Sequence, residues 1–345
     1  MNDLHVGKEN IPEFIANWNE ALSICEKMDI REIAIGGDLF LSRSSQTLDI
    51  LLAAHDVLGM AAAKGIHVTL VNGNHDLVNP ESVRGYCHIF DPYPNVFVAD
   101  EYVTLPVGDG QYALLHIIPY FPEDGSFCEK LSAVKRNAMD PSKKNFLYVH
   151  QGINGALSQP ADKELPANIF DGFERVFAGH YHNRCVIPKT RIEYIGSSRQ
   201  HNFGEDEAKG YTVLYNDGSH EFIQNKANLR YKVIDVEDHQ ADIHLTDLLE
   251  ELKETGRYRT KVRVRTTSAK APNVDKEKLL AAGASKVEII TEDPDQTEIS
   301  SCGLFEKFDS RKIRETYTEF CQEKKINEVE LGLSYLSKIE QPCGN

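Results

Sequence analysis

The sequence predicts an α/β fold in which two sheets pack face to face with helices outside, followed by a small α+β unit and terminal helices. Three observations lead to this prediction. Near the N-terminus, apolar runs of strand length alternate with amphipathic helices, an order typical of a parallel sheet. From residue 95 the apolar runs become shorter, and two of them flank the hairpin signal Asn216-Asp217-Gly218. Beyond residue 240, helical and strand patterns alternate again.

The N-terminal part of this pattern is a strand, helix, strand unit. Residues 11–28 carry apolar side chains at helical spacing, and residues 47–64 form a second helix that Gly65 stops. Residues 32–36 and 66–71 are apolar strands that each end in a polar turn. Because ligands bind at the carboxyl ends of strands in such sheets, we expect both turns to face one crevice.

The later elements fix the predicted domain boundaries. We expect one domain over residues 1–238, a small α+β unit over 239–300, and C-terminal helices over 301–345. In the first domain, strands are predicted at 96–98, 102–105, 112–118, 146–149, 175–178, 186–187, 192–195, 211–215 and 221–223, with a helix at 128–137 and an exit segment at 231–236. In the rest, helices are predicted at 243–253, 276–282, 311–321 and 329–339, strands at 260–264 and 287–290, and a loop at 291–301.

Composition limits the function classes. The 345 residues are 41% hydrophobic, enough for a sizeable core, and the formal net charge of -15 argues against binding DNA through the overall field. Seven cysteines without a C-x-x-C pair indicate reduced thiols rather than disulfides or a zinc site. No apolar run approaches the ~20 residues that span a bilayer, and no signal pattern opens the chain. A soluble, intracellular protein without membrane contact is expected.

Five polar segments carry the main functional signal, and four of them directly follow a visible apolar run. They are Asp3-Leu4-His5, Gly37-Asp38, Asn74-His75-Asp76, His150, and His180-Tyr181-His182. Carboxylate, imidazole and carboxamide groups together suit a pair of divalent cations. Two such ions about 3.5–4 Å apart can clamp the attacking and leaving oxygens of a phosphate ester. The sequence therefore predicts one metal site split over five segments.

These motifs resemble the calcineurin-like metallophosphoesterase superfamily over residues 3 to about 205. Within it, residues 37–40, 150–152 and 194–197 are similar to the SbcD type, the nuclease subunit of complexes that process DNA double-strand breaks, including versions from large phages. The resemblance implies a four-layer αββα metallophosphoesterase sandwich and a metal-dependent DNA phosphodiesterase, an exonuclease or endonuclease. It also implies that the unit over residues 239–300 caps the active site and contacts DNA. It also implies a cytoplasmic location, in a bacterial cell or as a phage protein in its host.

The resemblance further implies roles for the site residues. Asp38 would bridge two ions, Asp3, His5 and His182 would complete one shell, and Asn74, His150 and His180 would complete the other. Two divalent ions are implied, with Mn²⁺ ahead of Mg²⁺, Fe²⁺ or Zn²⁺. His75 would contact substrate and protonate the leaving oxygen, oriented by Asp76. For both Asp38 and Asp76, a helix N-cap is the alternative from the residues alone.

Two features depart from the family pattern. Only Met1 and Asn2 precede Asp3, where resembling chains carry an apolar strand. Either the native start lies upstream or Asp3 and His5 are held loosely. We expect the upstream start, because an intact ligand motif without the strand that positions it would make the local sequence inconsistent with the fold. Leu41 stands where such nucleases often have His or Asp, which weakens the expectation of usual exonuclease behaviour.

Two segments are candidates for contact with DNA. In the loop 194–205, Arg199 could hold a phosphate and Phe203 could stack on a base, or the loop is an ordinary polar one with Phe203 in the core. The other segment alternates basic and uncharged residues, so a strand there would have one basic face. That face is either a phosphate track, which we expect, or a charged edge that prevents association of sheets. Its basic residues are Arg257, Arg259, Lys261, Arg263 and Arg265.

The predicted function is the nuclease subunit of an SbcC/SbcD-like complex that repairs DNA. The implied partners are DNA and an SMC-like ABC ATPase of the SbcC type, which the helices of residues 301–345 could bind. A homodimer is left open. One alternative is a metallophosphoesterase for a small substrate, a cyclic nucleotide or a phosphomonoester. The other is a non-catalytic scaffold subunit that holds DNA ends.

Overall fold

The computed structural model describes residues 1–123, 125–157, 164–227, 230–235 and 260–291, with the single positions 250, 321, 329 and 333. The predicted helices at 243–253, 311–321 and 329–339 and the loop at 291–301 lie outside the described residues, apart from single positions. Arg257 and Arg259 also lie outside them. The described residues therefore include all the predicted metal ligands and both sheets of the first domain, and only part of the C-terminal region.

The described elements follow the predicted order. The helices are α1 (Ile11–Met28), α2 (Leu48–Ala63), α3 (Ser126–Asn137) and α4 (Lys276–Ala281). The strands are β1 (Glu32–Ile35), β2 (His67–Val71), β3 (Val96–Ala99), β4 (Val103–Pro106), β5 (Ala113–Ile118), β6 (Lys144–His150), β7 (Arg175–Gly179), β8 (Cys185–Val186), β9 (Ile192–Tyr194), β10 (Gly210–Leu214), β11 (His220–Gln224), β12 (Arg230–Asp235), β13 (Thr260–Thr266) and β14 (Ala284–Thr291).

The first sheet is parallel, in the order β1-β2-β3. Helices α1 and α2 cover one face, and Phe14, Trp18 and Leu22 of α1 recur at helical spacing and are fully buried in that layer. Burying each such side chain contributes about 1.5–3 kcal/mol relative to leaving it exposed. Gly65 follows the end of α2 at φ +65°, the left-handed conformation that stops helices there.

The second sheet has the order β4-β5-β6-β7-β9-β8, with β5, β6, β7 and β9 parallel. Val71, Phe146 and Phe177 belong to the apolar layer between the two sheets. Phe127, Leu131 and Val134 of α3 cover the outer face. The layers are therefore helix, sheet, sheet, helix, which confirms the predicted fold class. The hairpin β10–β11 turns at Asn216-Asp217-Gly218, as its sequence predicts.

A third sheet, β12-β13-β14, is parallel and packs its apolar face on α4. We call these four elements the C-terminal sheet unit. β12 pairs with β13 from Arg230 to Asp235, whereas the sequence pattern placed residues up to 238 in the first domain. The periodicity of an isolated strand does not identify its partner, so the pattern alone could not assign β12 to this unit.

The N-terminal residues are held along β1 and the turn after it. The Met1 carbonyl accepts from Gly36 N at 2.9 Å, and the amides of Asp3 and Val6 donate to Gly37 and Leu39 at 3.0 and 2.8 Å. Asp3 is 0% and His5 3% exposed. The two motif residues are thus firmly positioned, unlike the loose arrangement considered from the sequence. Among the described residues, no helix combines the length and apolarity that a membrane crossing requires.

Candidate metal centre

The five polar segments converge at the carboxyl ends of strands in both sheets. Asp38 follows β1, Asn74 follows β2, His150 ends β6, and His180 and His182 follow β7. Three groups of side chains bring their ligand atoms within 4.8 Å of one another: Asp3, His5 and His182; His5, Asp38 and His75; and Asp3, Asp38 and His150. The predicted ligands therefore share one crevice where the two sheets meet.

The backbone of the site is strained at four of the predicted ligands. Asp3, His5, Asp38 and His180 have φ values of +50°, +44°, +52° and +91°. Left-handed backbone at a residue other than glycine costs of order 1–3 kcal/mol and persists only where its surroundings enforce it. Such strain clusters at functional sites, and here it turns side chains from separate segments toward one point.

A glycine allows the two strand-end turns to approach each other. A Cβ atom on Gly73 would lie 2.2 Å from Oδ1 of Asp38. The backbone at residue 73 thus passes directly against the carboxylate, and the amide of His75 donates to that same oxygen at 2.8 Å. A substitution at Gly73 would push Asp38 out of place.

One cluster of candidate ligands lies at the N-terminal segment. The Nε2 atoms of His5 and His182 face each other at 3.1 Å. Oδ1 of Asp3 lies 3.8 Å from Nε2 of His5 and 3.9 Å from Nε2 of His182. Two ring nitrogens and a carboxylate oxygen thus point at a common position, as ligands of one cation do.

The second cluster is joined to the first through Asp38. Oδ2 of Asp38 lies 3.2 Å from Nε2 of His150 and 3.6 Å from Nε2 of His5. Oδ1 of Asn74 lies 3.0 Å from Nδ1 of His180. Asp38 therefore stands between the two histidines, the position that a bridging carboxylate takes in a two-cation site.

Two buried atoms at this site fit a bound cation. Oδ1 of Asp3 is buried and has no hydrogen-bond partner, and Nε2 of His150 is buried and makes no well-directed hydrogen bond, although Oδ2 of Asp38 lies 3.2 Å away. Leaving such polar atoms unsatisfied is costly, and native structures rarely do so without a reason. A divalent cation that accepts nitrogen and oxygen donors would satisfy both atoms. The donor set and its orphaned atoms therefore suit divalent metal.

The titration of the cluster is governed by burial and by its carboxylates. Burial lowers the pKa of His5 to about 3. At His150 burial also acts to lower the pKa, but the charges of Asp38 and Asp3 outweigh it and raise the pKa to about 9. Burial raises the pKa of Asp3. Because ligands must be deprotonated, cations would displace protons from His150.

Hydrogen bonds behind the candidate ligands fix their orientation. His150 donates from Nδ1 to the Gly36 carbonyl at 2.9 Å, and His182 donates from Nδ1 to Oε1 of Glu205 at 2.7 Å. Each bond leaves Nε2 directed at the crevice, which is the usual support for a metal-bound histidine. In the sequence, Glu205 only closes the loop 194–205, and no local signal gave it a role.

His75 and Asp76 differ in their hydrogen-bond partners. Nδ1 of His75 lies 2.7 Å from the Leu41 carbonyl, so this nitrogen donates and Nε2 is left free. Asp76 is fully buried and accepts from the amides of Gly73 at 2.8 Å, Phe40 at 2.9 Å and Leu39 at 3.2 Å. The expectation that Asp76 orients His75 is therefore replaced: the Leu41 carbonyl orients His75, and Asp76 ties the two strand-end turns together.

Arg199 also differs from its expected role. Its side chain is buried, with the residue 4% exposed, and Nη2 donates to the carbonyls of Leu4 at 2.9 Å and His5 at 3.2 Å. A phosphate cannot reach a guanidinium that is enclosed in this way. Phe203, expected either on a base or in the core, packs its ring 5.0 Å from that of Tyr231 in the C-terminal sheet unit.

The basic face of β13 is largely paired across the sheet. Lys261 lies over the ring of Tyr231, Arg263 contacts Glu288 at 2.9 Å, and Arg265 contacts Asp235 at 2.6 Å. Each partner stands at the matching register position on β12 or β14. The phosphate track expected from the sequence is thus neutralised in part by acids on the neighbouring strands.

Two residues at the site were not singled out from the sequence. Arg43 is exposed, and its charge helps to lower the pKa of His180 to about 4, after burial and the charge of His150. His201 donates from Nε2 to the Asp3 carbonyl at 2.8 Å, and its ring lies 5.1 Å from that of His5. No local motif marks either residue, because both lie in loops.

Comparisons with known proteins identify the family of this chain. A family model described as calcineurin-like phosphoesterase matches residues 1–184. The chain is 24% identical over 245 residues to the D component of the SbcCD nuclease of Staphylococcus saprophyticus, a match that covers 61% of this chain and 63% of that protein. It therefore spans less than two thirds of that relative's length.

Two further matches come from a virus and from a solved structure. The chain is 27% identical over 213 residues to a phosphoesterase, 244L, of Invertebrate iridescent virus 6, which covers 61% of this chain and 71% of the viral protein. Among solved structures, the nuclease MPE of Pseudomonas putida is 18% identical with a TM-score of 0.27, over 56% of this chain and 64% of that one.

Proposed function

This chain belongs to the calcineurin-like phosphoesterase family, and from that premise we propose that it is a two-metal phosphodiesterase that cleaves DNA. The family is one of hydrolases that act on phosphoester bonds with divalent metals. The observation that carries the proposal is the position of Asp38, whose carboxylate lies between Nε2 of His150 at 3.2 Å and Nε2 of His5 at 3.6 Å. A carboxylate shared by two clusters is what a two-cation centre needs.

The proposed ligands are the residues that the clusters contain. Asp3, His5 and His182 would hold one cation, Asn74, His150 and His180 the other, and Asp38 both. These residues would hold divalent cations, Mn²⁺ in our proposal, which when bound would supply Lewis-acid chemistry toward a phosphate ester and toward water. The orphaned Oδ1 of Asp3 and Nε2 of His150 support this assignment.

The chain's own residues supply positioning and a proton. His75 is held through Nδ1 by the Leu41 carbonyl, so its free Nε2 can carry a proton to the leaving oxygen. Its ring lies 4.7 Å from that of His5, beside the proposed ligands. Arg43, exposed near His180, is the cation we assign to a substrate phosphate in place of the buried Arg199.

DNA is proposed as the substrate because of the relatives and the third sheet. One relative is named as part of the SbcCD nuclease, and we propose the same role for this chain, with an SMC-like ATPase of the SbcC type as partner. The C-terminal sheet unit rests on the loop beside the site through Phe203 and Tyr231. A unit in that position could extend the surface available to a polymeric substrate.

One observation favours a second candidate function. The pairing of Arg263 with Glu288 and of Arg265 with Asp235 reduces the positive charge that DNA would use. A phosphoesterase for a small ester, such as a cyclic nucleotide or a phosphomonoester, needs no such track. It would use the same metal centre and the same proton donor.

The deciding experiment is hydrolysis of linear DNA by the purified chain with Mn²⁺, with a chromogenic phosphodiester in parallel. Asp38→Asn removes the bridging charge and is the inactive control. DNA cleavage by the wild type but not by Asp38→Asn supports the proposal. Cleavage of the small diester alone supports the second candidate. If DNA is bound with Mn²⁺ present and neither substrate is cut, the scaffold alternative is supported.

A further inference from the structure

Residues 199–209 form a loop that touches both the candidate metal centre and the C-terminal sheet unit. We call it the clamp loop. Its alternate residues face opposite ways: Arg199 and His201 reach the N-terminal ligand segment, while Gln200 reaches β12. A single short loop therefore joins a strained ligand segment to a separate sheet.

On the side of the metal centre, the clamp loop binds consecutive carbonyls of the strained segment. His201 donates to Asp3, and Arg199 donates to Leu4 and His5, at distances from 2.8 to 3.2 Å. These carbonyls belong to or lie between the two residues whose φ values are +50° and +44°. The donors therefore enforce the backbone that directs Asp3 and His5 at the site.

The same loop orients the third candidate ligand of this cluster. Glu205 accepts from Nδ1 of His182 at 2.7 Å and from the amide of His201 at 3.0 Å. Lys209 donates to the His182 carbonyl at 2.6 Å. All three candidate ligands of one cation thus depend on the clamp loop. The hydrogen bonds of Asn74, His150 and His180 within the described part of the chain go to other residues, among them Gly36 and Asp3.

On the other side, the clamp loop supports the edge of the C-terminal sheet unit. The Gln200 carboxamide accepts from the amide of Tyr231 at 3.0 Å and donates to its carbonyl at 3.3 Å, which imitates a neighbouring strand. Phe203 packs against Tyr231, and the guanidinium of Arg263 lies 3.9 Å above the Phe203 ring. Displacement of β12 would therefore move residues 200 and 203, which flank His201.

We propose that the clamp loop couples the position of the C-terminal sheet unit to the occupancy of the metal site formed by Asp3, His5 and His182. This rests on the proposed metal centre. Gln200 and Phe203 act as positioning residues. Because coupling free energies are reciprocal, a ligand that moves the sheet unit changes the affinity for that cation, and the cation changes the affinity for the ligand.

The test is titration of the full chain with Mn²⁺, with free Mn²⁺ followed by electron paramagnetic resonance. The wild type is expected to bind two ions. Gln200→Ala and Phe203→Ala should each weaken one ion about tenfold or more, as removal of outer supports of metal ligands commonly does. Gln111→Ala and Phe97→Ala, at exposed positions, are the matched controls. Thermal unfolding checks that every variant is folded.

Combining Gln200→Ala with the loss of one proposed ligand identifies which of the two ions responds. In Asn74→Ala, the ion that remains should show the full effect of Gln200→Ala. In His182→Ala, the effect should disappear, since the coupled site is already lost. Equal weakening of both ions, or an unchanged affinity in folded variants, overturns the coupling and leaves the metal centre intact. A wild type that binds no Mn²⁺ refutes the metal centre and the coupling together.

A second readout reports on the sheet unit itself. Mn²⁺ should slow hydrogen exchange of the β12 amides in the wild type, because the ion stabilises the clamp loop that β12 rests on. In Gln200→Ala this protection should be lost. A purely local structural role for Gln200 would leave the response of β12 to Mn²⁺ unchanged, and that result would overturn the coupling.

Discussion

Two polar surfaces stand out in the sequence: the crevice that holds the candidate metal ligands, which we call the metal face, and the basic face of β13. They differ in whether their polar groups find partners within the protein. At the metal face, polar groups from five segments meet and leave buried atoms without a hydrogen-bond partner, such as Oδ1 of Asp3. On β13, Arg263 and Arg265 find acids on adjacent strands. Polar groups that converge and keep no partner within the protein indicate a binding site. Charged groups that pair with each other across a sheet indicate a structural role.

The largest test of this contrast removes the proton donor from the metal face. His75→Ala should lower kcat about 10²–10⁴-fold, the usual contribution of general acid catalysis. Mn²⁺ affinity should change little, because we propose His75 as a proton donor and not as a ligand, although its ring nitrogen lies within 4.8 Å of ligand atoms of His5 and Asp38. The measurement is steady-state hydrolysis beside a Mn²⁺ titration.

Asp76→Ala is the companion variant. Its carboxylate accepts three backbone amides in the core of the site, so this change should lower the unfolding temperature, whereas His75→Ala should not. If both variants lose activity at unchanged stability, Asp76 acts in the chemistry and our structural assignment is wrong.

The second test uses pH. The carboxylates hold the pKa of His150 at about 9 in the metal-free protein, so this ring is protonated at neutral pH. A ligand must lose its proton to bind metal, and the apparent Mn²⁺ affinity should therefore rise with pH, up to about tenfold per unit, between pH 6 and 8. Calorimetry in buffers of different ionisation enthalpy should detect the released proton. An affinity that is flat with pH would contradict His150 as a ligand.

The third test removes Arg43, the exposed cation that we assign to a substrate phosphate. Arg43→Ala should raise KM for DNA about tenfold, since hydrogen bonds to charged groups contribute about 1.5–3 kcal/mol. Arg136→Ala, on the outer helix α3, is the matched control and should leave KM unchanged. An unchanged KM in Arg43→Ala would remove this residue from the substrate site.

The smallest effect is expected on the basic strand. Arg265 and Asp235 are both partly exposed, and such pairs contribute about 0–1 kcal/mol to stability. Arg265→Ala should therefore change DNA affinity and stability only slightly. The salt dependence of binding is the sensitive measurement, because removing one cation that binds a phosphate changes the slope by about 0.9. A slope that falls by that amount would restore the phosphate track.

Much of the site could be predicted because its residues stand directly at strand ends. Asp38, Asn74 and His150 each occur where an apolar run stops, and the carboxyl ends of parallel strands share an edge. The helix–sheet layers were equally accessible, since α1 shows its buried face in its spacing. Roles assigned to loop residues were less reliable: Arg199 is enclosed, and His75 is oriented by the Leu41 carbonyl rather than by Asp76.

By itself, the sequence determined the layered fold and the set of candidate ligands. Local periodicity predicts the helices and strands, and the polar residues that end each strand predict the ligands. Tertiary structure alone decided that β12 joins the third sheet, that acids on β12 and β14 pair with the basic strand, and that residues 199–209 contact both the metal face and that sheet. Those outcomes depend on contacts between segments far apart in the chain. Local patterns of charge and hydrophobicity do not predict which distant segments will be in contact.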